Sequence, residues 1–150
     1  MAPANVVADG QFVYWTTQGG IMKRSKSGGE SQPVLRISDN EGVDQLEQDA
    51  DNLYFGFRGA GESRWALKKV SKSGGELKLI AKTMTLKEFV VDDKNVYFFD
   101  ENGLASDFLC RVSKDGGDVV TLDEGYAGTI AGGGTQIFVA SSDAIYSYNK

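Results

Sequence analysis

Three segments of this chain repeat one another closely, and a fourth follows the same pattern as far as the chain runs. Val13-Tyr14-Trp15 is followed by Ser25-Lys26-Ser27-Gly28-Gly29, and Leu53-Tyr54-Phe55 by Ser71-Lys72-Ser73-Gly74-Gly75. Val96-Tyr97-Phe98 is followed by Ser113-Lys114-Asp115-Gly116-Gly117, and Ile137-Phe138-Val139 runs on to Lys150. The aromatic anchors Tyr14, Tyr54, Tyr97 and Phe138 are 40, 43 and 41 residues apart. Self-similarity at this period means that each unit buries its apolar face only by stacking on its neighbours.

The third unit reads as four strands. Glu88 to Val91 is a short apolar run that ends at the turn-forming Asp92-Asp93-Lys94-Asn95. Asn95 to Asp100 is rich in aromatic and β-branched residues, Phe108 to Ser113 alternates, and Asp118 to Leu122 follows the Gly-Gly turn. The first unit gives strands at Asn5–Ala8, Gln11–Thr16, Ile21–Ser25 and Ser31–Ile37. The second gives Val43–Gln48, Asn52–Phe57, Trp65–Ser71 and Glu76–Ala81, with its acidic first strand read as irregular. The fourth gives Thr129–Ala131, Thr135–Ala140 and Ala144–Tyr148. The expected fold is all-β: one domain of four tandem four-stranded antiparallel repeats, about 5–40, 41–84, 85–127 and 128–150, the last lacking its outer strand. The period matches a propeller blade.

Composition removes several functions. The net charge is −5, and Lys23, Arg24, Lys68, Lys69, Lys72, Arg111 and Lys114 recur at repeat positions without forming one basic face, which argues against nucleic acid. No apolar run reaches the length of a membrane span, and residues 1–5 have neither the basic nor the apolar region of a signal peptide, so a soluble chain of unknown compartment is expected. Histidine is absent, which removes the commonest general base and zinc ligand. Cys110 is the sole cysteine and reads as a small buried hydrophobe. Gly56 to Gly61 precedes a strand and Gly132-Gly133-Gly134 is a hairpin turn, so neither is a phosphate loop. Asp9, Asp51 and Asp92 sit at first hairpins, where a carboxylate accepts backbone N–H bonds. They form no compact run of alternating oxygen ligands of the kind calcium takes.

Val13-Tyr14-Trp15-Thr16, Ile21-Met22-Lys23-Arg24, Gly28-Gly29 and Val34-Leu35 resemble the repeat of YWTD-type β-propellers. The third unit, with Val90-Val91-Asp92, Val96-Tyr97-Phe98 and Arg111 to Gly117, is similar to the bacterial, six-bladed TolB-like versions. The fourth motif residue is Thr16, Gly56, Phe99 or Ala140 where that family has Asp, so the family's polar network is not carried over. The resemblance implies a closed ring. Fewer than four complete blades leave three outcomes: a small self-closed ring, a fragment of a longer natural or engineered propeller, or a homodimer that shares one ring. The third is the expectation, because closure buries blade faces left open otherwise.

Function is expected in residues that do not recur. Arg58, Glu62, Arg64 and Trp65 lie on the long loop of the second unit, and Asp100, Glu101, Asn102 and Asp107 on that of the third. Interblade loops add Asp39, Asn40, Glu41, Asp123, Glu124 and Tyr126 on the same predicted face. An aromatic beside Arg, Asn and carboxylates suits a peptide or carbohydrate partner; solvated loops are the plainer reading. No catalytic residue, metal or cofactor is assigned. The alternatives are a lectin-like module and a metal-dependent hydrolase or lactonase drawing on Asp39, Glu41, Asp44 and Asp123.

Overall fold

A computed structural model of the chain describes residues 4–101, 107–125, 128–141 and 144–150, and these form strands, turns and irregular chain without a helix. No helix there is long and apolar enough to cross a membrane. The chain divides into two compact units, Met1–Lys82 and Thr83–Lys150.

The first unit holds two blades. One is β1 (Ala4–Ala8), β2 (Phe12–Thr17), β3 (Gly20–Ser25) and β4 (Gln32–Arg36); the other is β5 (Gly42–Gln48), β6 (Asn52–Arg58), β7 (Ala66–Ser71) and β8 (Lys78–Lys82). The second unit holds the blade β9 (Phe89–Val91), β10 (Asn95–Glu101), β11 (Asp107–Ser113) and β12 (Val120–Glu124). It also holds the three-stranded β13 (Thr129–Gly133), β14 (Gln136–Ala140) and β15 (Ile145–Asn149). Each sheet is an antiparallel meander in chain order. The expected fold class, four propeller-type repeats with the last one strand short, is the observed one.

Period-two alternation decides what each face does. In the first unit Tyr14 and Ile21 meet Leu46, Leu53, Phe55, Phe57 and Val70 in one buried core. In the second, Tyr97, Phe99 and Leu109 meet Ile130, Ile137 and Val139. The same rule applies twice: the Tyr-bearing face of one blade packs on the opposite face of the next. Thr16, standing where the resembled repeat has Asp, is buried and its hydroxyl donates to the Ala4 carbonyl at 2.7 Å. Cys110 is buried on β11, and burial pushes its thiol up to about 11, so the thiol is not a nucleophile near neutrality.

The outer strands start later than the sequence pattern places them. β4, β8 and β12 begin at Gln32, Lys78 and Val120, against the expected Ser31, Glu76 and Asp118. The cause lies in the Gly-Gly pair. Gly28, Gly74 and Gly116 donate to the carbonyls of Ser25, Ser71 and Ser113 and close a four-residue turn. The paired glycines then run at φ between 88° and 117°, off the pleat. The chain needs two more residues to regain the ladder, which also carries a register shift in every β3–β4-type pair.

Candidate functional site

The most regular polar feature is a carboxylate that recurs at the first hairpin of the first three blades. Asp9 accepts the N–H groups of Gln11 and Phe12 on Oδ1, at 2.9 and 2.8 Å, and the Tyr14 hydroxyl on Oδ2 at 3.0 Å. Asp49 does the same for Asp51, Asn52 and the Tyr54 hydroxyl, the last at 2.7 Å. Asp92 takes Lys94 and Asn95 N–H. The sequence reading named Asp51 for the second unit; the carboxylate in that role is Asp49, five residues before its tyrosine, as Asp9 and Asp92 are before theirs.

A lysine of the following blade completes this node. Lys72 Nζ, from the Gly-Gly turn of the second blade, lies 3.0 Å from Asp9 Oδ2 and 5.4 Å from the centroid of the Tyr14 ring. Lys150 stands 4.0 Å from Asp92 Oδ2 in the second unit. Lys72 and Lys150 are equivalent: their backbone N–H groups donate to Asp51 and Thr135 carbonyls in the same hairpin position. The N–H groups of Phe12 and Gln11, with Lys72, hold the Asp9 carboxyl well below the usual carboxylate range, while burial and then Asp9 push Tyr14 up to about 12.

A pH dependence follows. Asp9 is held below its unfolded value of about 4. Its stabilisation is therefore complete above that pH and is lost as pH falls through it toward the folded value. The melting temperature of the native chain should drop on acidification from pH 5 to 2, and Asp9→Asn should start lower and drop less. Parallel curves for the two proteins would remove Asp9 from the acid response.

A second polar feature opens on the first unit. Asn5 and Gln45 are the non-glycine residues with positive φ among the described residues, at 42° and 52°. Each lies where its inner strand slips register. The strain, about 1–3 kcal/mol per residue, is held by one carboxylate. Asp44 Oδ1 accepts Asn5 Nδ2 at 2.9 Å across the two blades and the Gln45 N–H at 2.8 Å. Beside this link lies a groove of about 370 Å³, lined by Ala4, Asn5, Thr16, Thr17, Gln18, Asp39, Glu41, Gly42, Val43, Asp44 and Arg58.

Arg58 and Trp65 meet at its rim. The guanidinium carbon is 5.2 Å from the Trp65 ring centroid, and Trp65 Cη2 is 3.6 Å from where a Cβ on Gly42 would stand. Glu62 and Arg64 are exposed on the intervening loop, where the Glu62 N–H donates to the Gly59 carbonyl. The groove therefore offers carboxylates, hydroxyls, amides and one arginine, with the Trp65 ring behind that arginine. Asn5, Thr17 and Gln18 were not among the sequence candidates, because the bulge that turns Asn5 has no local signature.

The third-unit candidates are tied elsewhere. Asp100 Oδ1 accepts the N–H groups of Met84, Thr85 and Glu101 at 2.8–3.0 Å. Asp107 is buried and accepts Lys87 Nζ at 2.7 Å, a hydrogen bond that raises the lysine pKa. Both carboxylates fasten residues 84–87 to the β10–β11 hairpin. Asp123 accepts the Glu124 N–H and the Tyr148 hydroxyl, both at 2.8 Å. Asn102 and Tyr126 lie outside the described residues. Among the described residues no three Asp, Glu, Cys or His side chains converge as metal ligands.

No protein-family model and no curated protein matches the chain. Solved structures do. A chain of the nidogen/laminin complex superimposes with a TM-score of 0.75 at 16% identity, covering 98% of this chain and 60% of that one. Regucalcin from Agrobacterium tumefaciens, described as a calcium-binding protein, gives 0.68 at 16%, covering 98% and 56%. Oligogalacturonate lyase in complex with manganese gives 0.66 at 13%, covering 93% and 47%. At these identities the likeness is one of fold. The chain spans about half to three-fifths of the length of these neighbours.

Proposed function

We propose that this chain is a non-enzymatic propeller module of YWTD type, a binding and assembly scaffold that completes its ring with a second copy of itself. The observation that carries the reading is a pair of uncovered apolar sheet faces. On the first blade Val6 is 67% exposed and forms, with Ala4, Asn5, Val13 and Trp15, an apolar depression of about 360 Å³. On the fourth, Ile145 is 75% and Phe138 38% exposed. Side chains of this size at equivalent positions in the other blades are buried, and contiguous exposed apolar surface marks a contact site. The neighbour from a nidogen/laminin complex supports a part in protein assembly. The Arg58–Trp65 groove is the place for a peptide or carbohydrate ligand.

Light scattering on a sizing column across a dilution series tests this. A species near twice the 16.2 kDa chain mass is expected. A monomer at every concentration up to about millimolar would overturn self-association, since specific assembly is at least that strong.

A further inference from the structure

Within each unit one blade offers a tyrosine face, and the next blade covers it and sends a lysine back to the carboxylate beside that tyrosine. Lys72 does so to Asp9 and Tyr14, and Lys150 to Asp92 beside Tyr97. The two uncovered faces are the two halves of such a joint. The first blade presents the covering face, with Val13, Trp15 and the exposed Lys26, whose backbone N–H donates to Gln11 as that of Lys72 does to Asp51. The fourth blade presents the face to be covered, with Phe138 in the tyrosine position and Ile145 beside it, since Ile145 pairs with Ala140 two residues on from Phe138.

This half lacks its carboxylate. The residue five before Phe138 is Gly133, and a Cβ there would lie 3.2 Å from Phe138 Cε2. The aspartate and the tyrosine hydroxyl are thus lost together, and the phenyl ring lies over the vacated position. What remains for an incoming lysine is the aromatic face that Lys72 also uses at Tyr14.

Resting on the self-association reading, we infer that the fourth blade of one copy seats on the first blade of the other. Lys26 of the covering blade stands over Phe138, in a joint held by apolar contact without an ion pair. This joint differs in kind from those inside the units. It is the one that opens first and the one least sensitive to salt, because no charge pair is there to screen.

The dimer dissociation constant, measured by light scattering and analytical ultracentrifugation, tests it. Ile145→Glu, at a position too exposed to disturb the fold, should weaken the dimer at least tenfold. The double variant Gly133→Asp/Phe138→Tyr should restore the missing acceptor and tighten the dimer about tenfold or more, and Lys26→Met should abolish that gain. Native dimerisation should change less than threefold between 0.1 and 1 M salt, whereas the double variant should become salt-sensitive. A dimer indifferent to Ile145→Glu and to the double variant would overturn this joint and leave self-association standing through another surface. A monomer in all variants would overturn both.

Discussion

Gly20→Ala should destabilise the protein by about 3–5 kcal/mol, a large effect for the addition of one methyl group. Gly20 is buried where β3 pairs with Arg36 of β4, at φ 122°. A Cβ there would stand 2.1 Å from the Leu35 carbonyl oxygen, 2.9 Å from its carbon and 3.2 Å from the Arg36 Cα. All three obstacles are backbone, so relief requires parting the two strands. The conformation alone costs about 1–3 kcal/mol for a residue with a side chain, and the forced shift a similar amount. The melting temperature should fall by about 10 °C or more. Gly10→Ala is the control, because a Cβ at Gly10 meets nothing within 4 Å and the site has no positive φ; it should cost under about 1 kcal/mol. Equal melting of the two variants would refute the collision.

Phe55→Ala should cost about 3–5 kcal/mol. Phe55 is fully buried in the core that joins the first two blades, with Tyr14, Leu46, Leu53 and Val70 around it. Truncation removes the ring's burial and leaves a cavity that two stiff sheets cannot collapse to fill. The same truncation at Phe138, 38% exposed on an uncovered face, should cost about 1 kcal/mol or less in dilute protein. Urea unfolding of both variants gives the comparison. Similar losses would mean that Phe138 is packed as tightly as Phe55, contrary to its exposure.

The contrast between Phe55 and Phe138 bears on what the sequence disclosed. Repeat period and strand number were legible because they depend on local alternation, repeated often enough to average out exceptions. The late start of the outer strands was not, since two consecutive glycines at positive φ displace the chain by an amount that turn chemistry alone does not fix. Asp49 in place of Asp51 was legible in principle: the five-residue spacing to tyrosine is present in Asp9–Tyr14 and Asp92–Tyr97. On the groove, strand order was enough to bring Arg58, Trp65, Asp39 and Glu41 near one another. The Asn5–Asp44 bond depends on two left-handed bulges with no composition cue, so it emerged only in three dimensions. Asp100 and Asp107 have the sequence character of loop charges; their partners are backbone amides and Lys87, which side-chain type alone does not reveal.

The strict strand order of each sheet has a consequence for how such a chain is made and remade. The ladder partners farthest apart along the chain are Asn52 and Ser71, so every hydrogen-bonded rung closes a short loop. Short closures are entropically cheap and fast, so a sheet can zip up as it leaves the ribosome without waiting for distant chain. Nothing in one ladder threads through another. Duplication or loss of one whole genetic period therefore leaves the remaining sheets intact and changes only how many are stacked.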